Sequence, residues 1–309
     1  LTSQTKRFSR FSWGVVALTL GVILWGAYVR ASGSGAGCGS SWPTCNGEVI
    51  PRPRSIQTVI EFTHRATSGI DFLAVLAQLV WARRLFAAGS PVRRAAAAAM
   101  VLMVTEALVG AGLVIFEHVA GDTSVARAAW TAVHLTNTFL LVAALTLVAS
   151  WSSHKAPAGF RWPGLPGLLG LAALVGTLLL GVSGAITALG DTLFQSKSLA
   201  EGLRQDLSPT AHFLIKLRIL HPIIGLLVGG FLLSSLGRLL DKNASPRERR
   251  GVVLALGLFV TQVTVGFVNL GLLAPIPLQI AHLLMADLVW MALVLVVAGA
   301  LSRPQEEAR

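Results

Sequence analysis

Glu61, His64 and Arg65 stand in the stretch EFTHRATSGI, at the point where an apolar run long enough for a membrane helix begins. Ionisable side chains in a bilayer cost roughly 2.5–3.5 kcal/mol each on insertion scales, and they mark functional sites by default. Four of the chain's seven histidines, His64, His134, His221 and His282, fall at matching places in four such runs. Two histidines from facing helices at one depth form the axial ligand pair of a haem iron, and helix bundles host such cofactors. Two pairs make two haem sites. The plainer alternative is that each histidine hydrogen-bonds between helices. Zinc needs three or four close ligands, which two pairs in separate bundles do not supply. His118, His154 and His212 fall in loops or at a helix entrance and read as solvated.

The two pairs differ in their surroundings. Glu61 precedes His64 by three residues and so shares its helix face; the residue in that place before His221 is Arg218. A carboxylate beside one pair and a cation beside the other implies different jobs, and an acid at a reacting centre suits proton exchange. The alternative for Glu61 is an i,i+4 pair with Arg65, worth about 0.2–0.5 kcal/mol on an isolated helix. Arg65 and Arg218 carry the forked donor that binds carboxylates, including the propionates of a haem. Asp71, Glu106 and Asp287 also lie at membrane depth without an evident partner. The only cysteines, Cys38 and Cys45, sit in GCGSSWPTCNG, a turn-prone segment. Outside the cytoplasm they are expected as a disulfide, either pinning the loop or taking part in redox chemistry.

Helices of membrane length must position these groups. The 309 residues are 54% hydrophobic and 13% charged, with mean hydropathy +0.70, whereas soluble domains carry about 25% charged residues. Apolar runs over 11–31, 57–82, 95–116, 127–151, 165–189, 212–240, 251–273 and 278–301 each suffice to cross a bilayer. The fold class is an all-α polytopic membrane protein with eight transmembrane helices. Most of the lysines and arginines then fall on one side: Lys6, Arg7, Arg10, Arg83, Arg84, Arg93, Arg94, Lys155, Arg161, Arg238, Lys242, Arg247, Arg249, Arg250, Arg303 and Arg309. The positive-inside rule makes that side, and both termini, cytoplasmic. The net charge of +11 therefore reads as topology, and no basic cluster interleaved with aromatics points to nucleic acid. The first run, Phe11 to Val29, exceeds a signal-peptide core and reads as a retained span. A weak repeat aligns Glu106 with Gln262, Gly110 with Gly266 and His64 with His221. It divides the chain into pseudo-symmetric four-helix halves, 1–155 and 160–309, joined by SSHKAPAGFRWPG.

Over essentially its whole length the chain resembles the haem A synthase family. The resemblance rests on SGSGAGCGSSWPTCNG, EFTHRATSG, AVHL, LHPIIG and IAHLL, with a histidine in each even-numbered span. It implies a membrane oxidoreductase that converts a methyl group of haem O to a formyl group, giving haem A for terminal oxidases. His64 and His134 would flank the substrate iron, with Glu61 beside the reacting methyl. His221 and His282 would ligate a b-type haem cofactor. The expected setting is the cell membrane, among lipid, with the haem sites toward the outer face and haem O synthase as donor. The rival reading is a dihaem b-type electron carrier, which leaves Glu61 and the cysteine loop unused. A transporter fits less well, because the paired broken helices of a midplane site are missing.

Overall fold

The structure, a computed structural model, describes residues 2–154, 156–157, 159–160, 164–238 and 245–302, the side chains of Pro166 and Arg238 excepted. Lys155, Arg161, Lys242, Arg303 and Arg309, used above for orientation, lie outside the described residues. So do the close of the first predicted half at residue 155 and part of the linker. Helices α1 (Ser3–Ala31), α2 (Ile56–Leu85), α3 (Pro91–Ile115) and α4 (Val125–Ser153) are followed by α5 (Leu165–Leu193). Then come short α6 (Leu199–Asp206) and α7 (Phe213–Arg218), and α8 (Leu220–Arg238), α9 (Pro246–Gly271) and α10 (Ile276–Leu301).

Their starts follow local chemistry. Ser55, Ser90, Ser124 and Ser245 accept hydrogen bonds from the first turns of α2, α3, α4 and α9, satisfying amides that have no partner inside the helix. Pro91 and Pro246 occupy first-turn positions that need no N–H. α1 begins at Ser3, eight residues before its apolar run, because the Thr2 hydroxyl caps it at Thr5. α6 was not expected. α7 and α8 divide the sixth expected span at Ile219, where the ring of Pro222 meets the carbonyl four residues back and the helix ladder loses a donor.

Among the described residues, seven helices are long and apolar enough to cross a membrane, α7 and α8 counting together as Phe213–Gly237. α2, the remaining long helix at 30 residues, carries Glu61, Arg65 and Asp71 and is not among them. Leu226, Leu227 and other large apolar side chains face outward, as lipid requires. The protein is a multi-pass helical membrane protein.

α1 packs on α2 and α4, and α3 on α2 and α4; α5 packs on α8 and α10, and α9 on α8 and α10. Separate apolar cores form around Val16, Val75 and Leu145 in the first set and around Leu232, Phe259 and Leu293 in the second. The seam runs between α4 and α10, where Trp290 stacks on Phe139 at 5.2 Å and donates its indole N–H to the Phe139 carbonyl at 2.6 Å. Arg30 adds a clasp, donating to the Ala188 carbonyl and Thr192 hydroxyl of α5, each at 2.7 Å, and to Gln279 of α10 at 3.1 Å.

Candidate functional site

The four repeat-equivalent histidines share one local device. Each imidazole lies over a glycine of the long helix before it, His64 on Gly26 of α1, His134 on Gly110 of α3, His221 on Gly184 of α5 and His282 on Gly266 of α9. A Cβ at Gly26, Gly184 or Gly266 would stand 2.8–2.9 Å from the ring's Cε1, and one at Gly110 would stand 3.7 Å from Nε2. At Gly26, Gly184 and Gly266 only a residue without a side chain lets the ring and backbone approach so closely, whereas at Gly110 a Cβ would make ordinary contact. The repeat had already paired Gly110 with Gly266, but nothing in the sequence set Gly26 and Gly184 apart from the chain's other glycines.

In the second pair the His221 and His282 rings face each other with centroids 6.2 Å apart and planes 87° apart. A metal–imidazole bond of about 2 Å, plus about 1.1 Å from nitrogen to ring centre, puts two axial imidazoles about 6 Å apart by centroid. The observed spacing fits an iron between them. The Ser183 hydroxyl lies 3.0 Å from His221 Nδ1 and orients that ring, while His282 Nδ1 is buried without a partner among the described residues. Gln262 Nε2 stands 3.4 Å from His282 Nε2. Arg218 is engaged elsewhere. It binds Asp206 through Nε at 3.0 Å and Nη2 at 2.7 Å, and Asp191 and the Phe194 carbonyl through Nη1 at 3.3 and 3.1 Å.

The first pair sits among acids. His134 Nδ1 meets Glu106 at 2.9 Å. Glu106 also accepts from Asn137 at 2.5 Å and from the Thr138 hydroxyl. Glu106 thus has the partner that the sequence reading withheld, and it occupies the place aligned with Gln262, which faces His282. A carboxylate on Nδ1 fixes the ring's orientation and leaves Nε2 for a metal. His64 Nδ1 is buried and unpartnered among the described residues. These donors also fit a haem.

Glu61 is only 3% exposed and accepts the Cys38 N–H at 2.8 Å. It pairs with Arg65 through Nε at 3.1 Å and through Nη2. Arg65 Nη1 then donates to the Ser41 and Thr44 carbonyls, each at 2.6 Å. The i,i+4 pair therefore exists, and it fastens the Cys38–Cys45 loop over the end of α2. The two cysteines are joined as a disulfide. Gly37 touches α2 so closely that a Cβ there would overlap the Gln57 backbone at 2.4 Å.

Among the remaining ionisable groups, Asp71 accepts from Thr19 at 2.9 Å, and Asp287 has no partner among the described residues. His118 pairs with Asp122 at 2.9 Å. His212 caps α7 and stacks on Phe194 at 5.0 Å, so neither is simply solvated; His154 is exposed. Burial pushes the Asp122 carboxyl up, but the Ser124 amide, His118 and the Ser124 hydroxyl outweigh it and hold it below the usual aspartate range.

Comparison with known proteins adds to this geometry. The profile of COX15-CtaA, described as cytochrome oxidase assembly protein, matches residues 9–294. The chain belongs to the COX15-CtaA family. Within wider comparisons it is 47% identical, over 98% of its length, to a Thermus thermophilus protein named protoheme IX farnesyltransferase, covering 50% of that protein. The chain thus spans about half the length of that relative. Shorter stretches match proteins named heme A synthase. One is from Exiguobacterium sibiricum, 35% identical over 37% of this chain and 39% of that protein. Another is from Alkalihalophilus pseudofirmus, 40% identical over 31% of this chain and 32% of that protein. The resemblance seen in the sequence is borne out.

Proposed function

We propose that this COX15-CtaA member is a haem A synthase, oxidising a methyl group of haem O to a formyl group. The observation that carries the reading is chemical asymmetry between two otherwise equivalent histidine pairs. Two carboxylates, the buried Glu61 and the half-buried Glu106, flank the first, while a serine and an amide, Ser183 and Gln262, flank the second.

In this reading α2 is an eighth crossing, and residues 1–155 and 160–309 form two four-helix bundles in the cell membrane. Both termini are cytoplasmic, and the histidines lie toward the outer face. His64 and His134 hold substrate haem O, with Glu106 fixing the His134 ring. Glu61 lies under the disulfide loop, where its carboxylate takes up a proton released as the methyl group is oxidised; Arg65 holds that carboxylate in place. His221 and His282 hold a b-type haem, which when bound supplies one-electron transfer. Arg218, its guanidinium taken up by Asp191, Asp206 and the Phe194 carbonyl, anchors the segment leading into that site. A protein that farnesylates protohaem is the fitting donor of haem O, a reading supported by the name of the double-length Thermus relative.

The test is to express the chain with a haem O supply and separate the extracted haems by chromatography. Haem A or its alcohol precursor supports the synthase. Haem b alone supports an electron carrier instead.

A further inference from the structure

Besides Ser152, which bonds the Ala149 carbonyl of its own helix, five fully or almost fully buried polar side chains remain in the first helix set among the described residues. Ser12 and Thr19 lie on α1, Asp71 and Gln78 on α2, and Thr146 on α4, each no more than 2% exposed. Thr19 bonds Asp71. Ser12 Oγ, both amide atoms of Gln78 and Thr146 Oγ1 have no hydrogen-bond partner among the described residues. An unsatisfied polar group at membrane depth costs several kcal/mol, so four such atoms close together call for something to bind them.

Helix arithmetic puts them in a column. The Thr19–Asp71 bond sets the register of antiparallel α1 and α2, so Ser12 and Gln78 share a level about 10.5 Å away, toward the end bearing Arg83 and Arg84. On the same scale Gly26 and His64 lie about 10.5 Å in the opposite direction, consistent with their contact. The hydroxyls of Ser9 and Ser153, 2.6 Å apart, set the register of α1 and α4. Thr146 then falls about 4.5 Å below Thr19 and about 6 Å above Ser12, with Ser9 and Ser153 about 4.5 Å lower still. One water making two hydrogen bonds bridges polar atoms about 5.5 Å apart. The next polar side chain up α4, Thr138, lies about 7.5 Å above the Thr19 level and binds Glu106, the partner of His134.

The second helix set is an internal control. Counting from the paired histidines and glycines, Val228 replaces Asp71, Val294 replaces Thr146 and Gly170 replaces Ser12. The two polar counterparts, Thr177 and Ser235, bond carbonyls of their own helices at 2.8 and 3.5 Å. At these matched positions the second set has no unpartnered polar atom among the described residues; its own unpartnered buried acid, Asp287, falls at the place of Phe139, outside the column.

We propose that α1, α2 and α4 enclose a chain of bound water molecules running from the arginine-bearing end past Gln78, Thr146 and Asp71 to the region beneath His64, and that it carries protons to and from that site alone. The water chain stands on the buried polar atoms. Its proton role rests on the proposed function, taken with water as the oxygen source. A methyl group and one water give a formyl group, four protons and four electrons. The electrons leave through the haem of His221 and His282 to an external one-electron acceptor, whereas passing electrons alone through that haem need not release protons.

The test is radiolytic hydroxyl-radical footprinting of the intact purified protein, in which a buried side chain is oxidised when water lies beside it. Leu145, next to the column, and Leu293, its counterpart, are both buried to 1% exposure or less. Leu145 is expected to be labelled several-fold more than Leu293, and Gln78→Leu with Thr146→Val is expected to bring it down to the Leu293 level. Exchanging unpaired polar groups for apolar ones of like shape tends to be neutral or stabilising, so the double variant should fold. Equal labelling of the two leucines in the wild-type protein would overturn the water chain. In turnover, Asp71→Asn and the double variant are expected to slow haem O conversion several-fold with the His221–His282 haem spectrum unchanged. Wild-type rates in both would overturn the proton role. If the wild-type protein converts no haem O, the function reading fails, and footprinting still decides the water chain.

Discussion

Glu61→Gln separates structure from chemistry at the loop-covered site. The carboxylate meets donors on every side: the Cys38 N–H on one oxygen, Arg65 Nε and Nη2 on the other. Glutamine offers one oxygen and an NH2 group, so one end of the amide must point a donor at a donor. A stranded buried donor costs about 1–3 kcal/mol. That is below the 5–15 kcal/mol typical of whole-domain stability, so the damage should stay in the loop. At about 1.4 kcal/mol per tenfold, the loop should open roughly 5- to 150-fold more often. The assay pairs two readings on one preparation: reductant-dependent thiol labelling of Cys38 and Cys45, and conversion of haem O. Labelling should come faster in the variant, conversion should fall to a small fraction, and the haem held by His221 and His282 should keep its spectrum. Glu61→Asp, which retains the charge, should recover part of the conversion. Near-normal haem A yield from Glu61→Gln would refute the reasoning and leave Glu61 as an anchor for the loop.

Replacing His221 or His282 by alanine should abolish or shift a low-spin b-type absorption spectrum, and an unchanged spectrum in both variants would remove the ligand assignment. Gly266→Ala puts a methyl 2.8 Å from His282 Cε1, some 0.6 Å inside an ordinary contact of about 3.4 Å. That spectrum should therefore shift, while Gly271→Ala, with open space around it, should leave it alone. Asp122 is held below its ordinary value by Ser124 and His118. Its ordering of the α3–α4 connection should be complete above the usual aspartate range and lost as pH falls through the lower folded-state value. Proteolysis of that connection should follow this course, and Asp122→Ala should remove the pH dependence.

Much of the fold was legible because lipid forces it. Apolar runs mark crossings, although the Ser–Pro pairs that begin α3 and α9 stand ahead of the runs read as spans. What escaped is set by partners rather than by pattern. Apolar periodicity cannot say that Thr2 will begin α1 eight residues early, although Pro222 does carry a signal for the α7–α8 break. Glu106 looked solitary because its partners, Asn137, Thr138 and His134, lie on α4, and a sequence does not show how α3 registers against α4. Glu61 was recognised as a site, but its hold on Cys38 depends on how the loop folds back over α2. The four histidines were legible as a set through the repeat; the glycines beneath them were not, since close approach is a property of packed helices.

The most direct measurement follows haem O added to the purified protein with its b-type haem in place, reading the extracted haem by mass spectrometry over time. The account predicts a product that has gained one oxygen and lost two hydrogens, accumulating in the wild-type protein and not in His64→Ala. Haem O recovered unchanged, alongside a normal b-type spectrum, would contradict it.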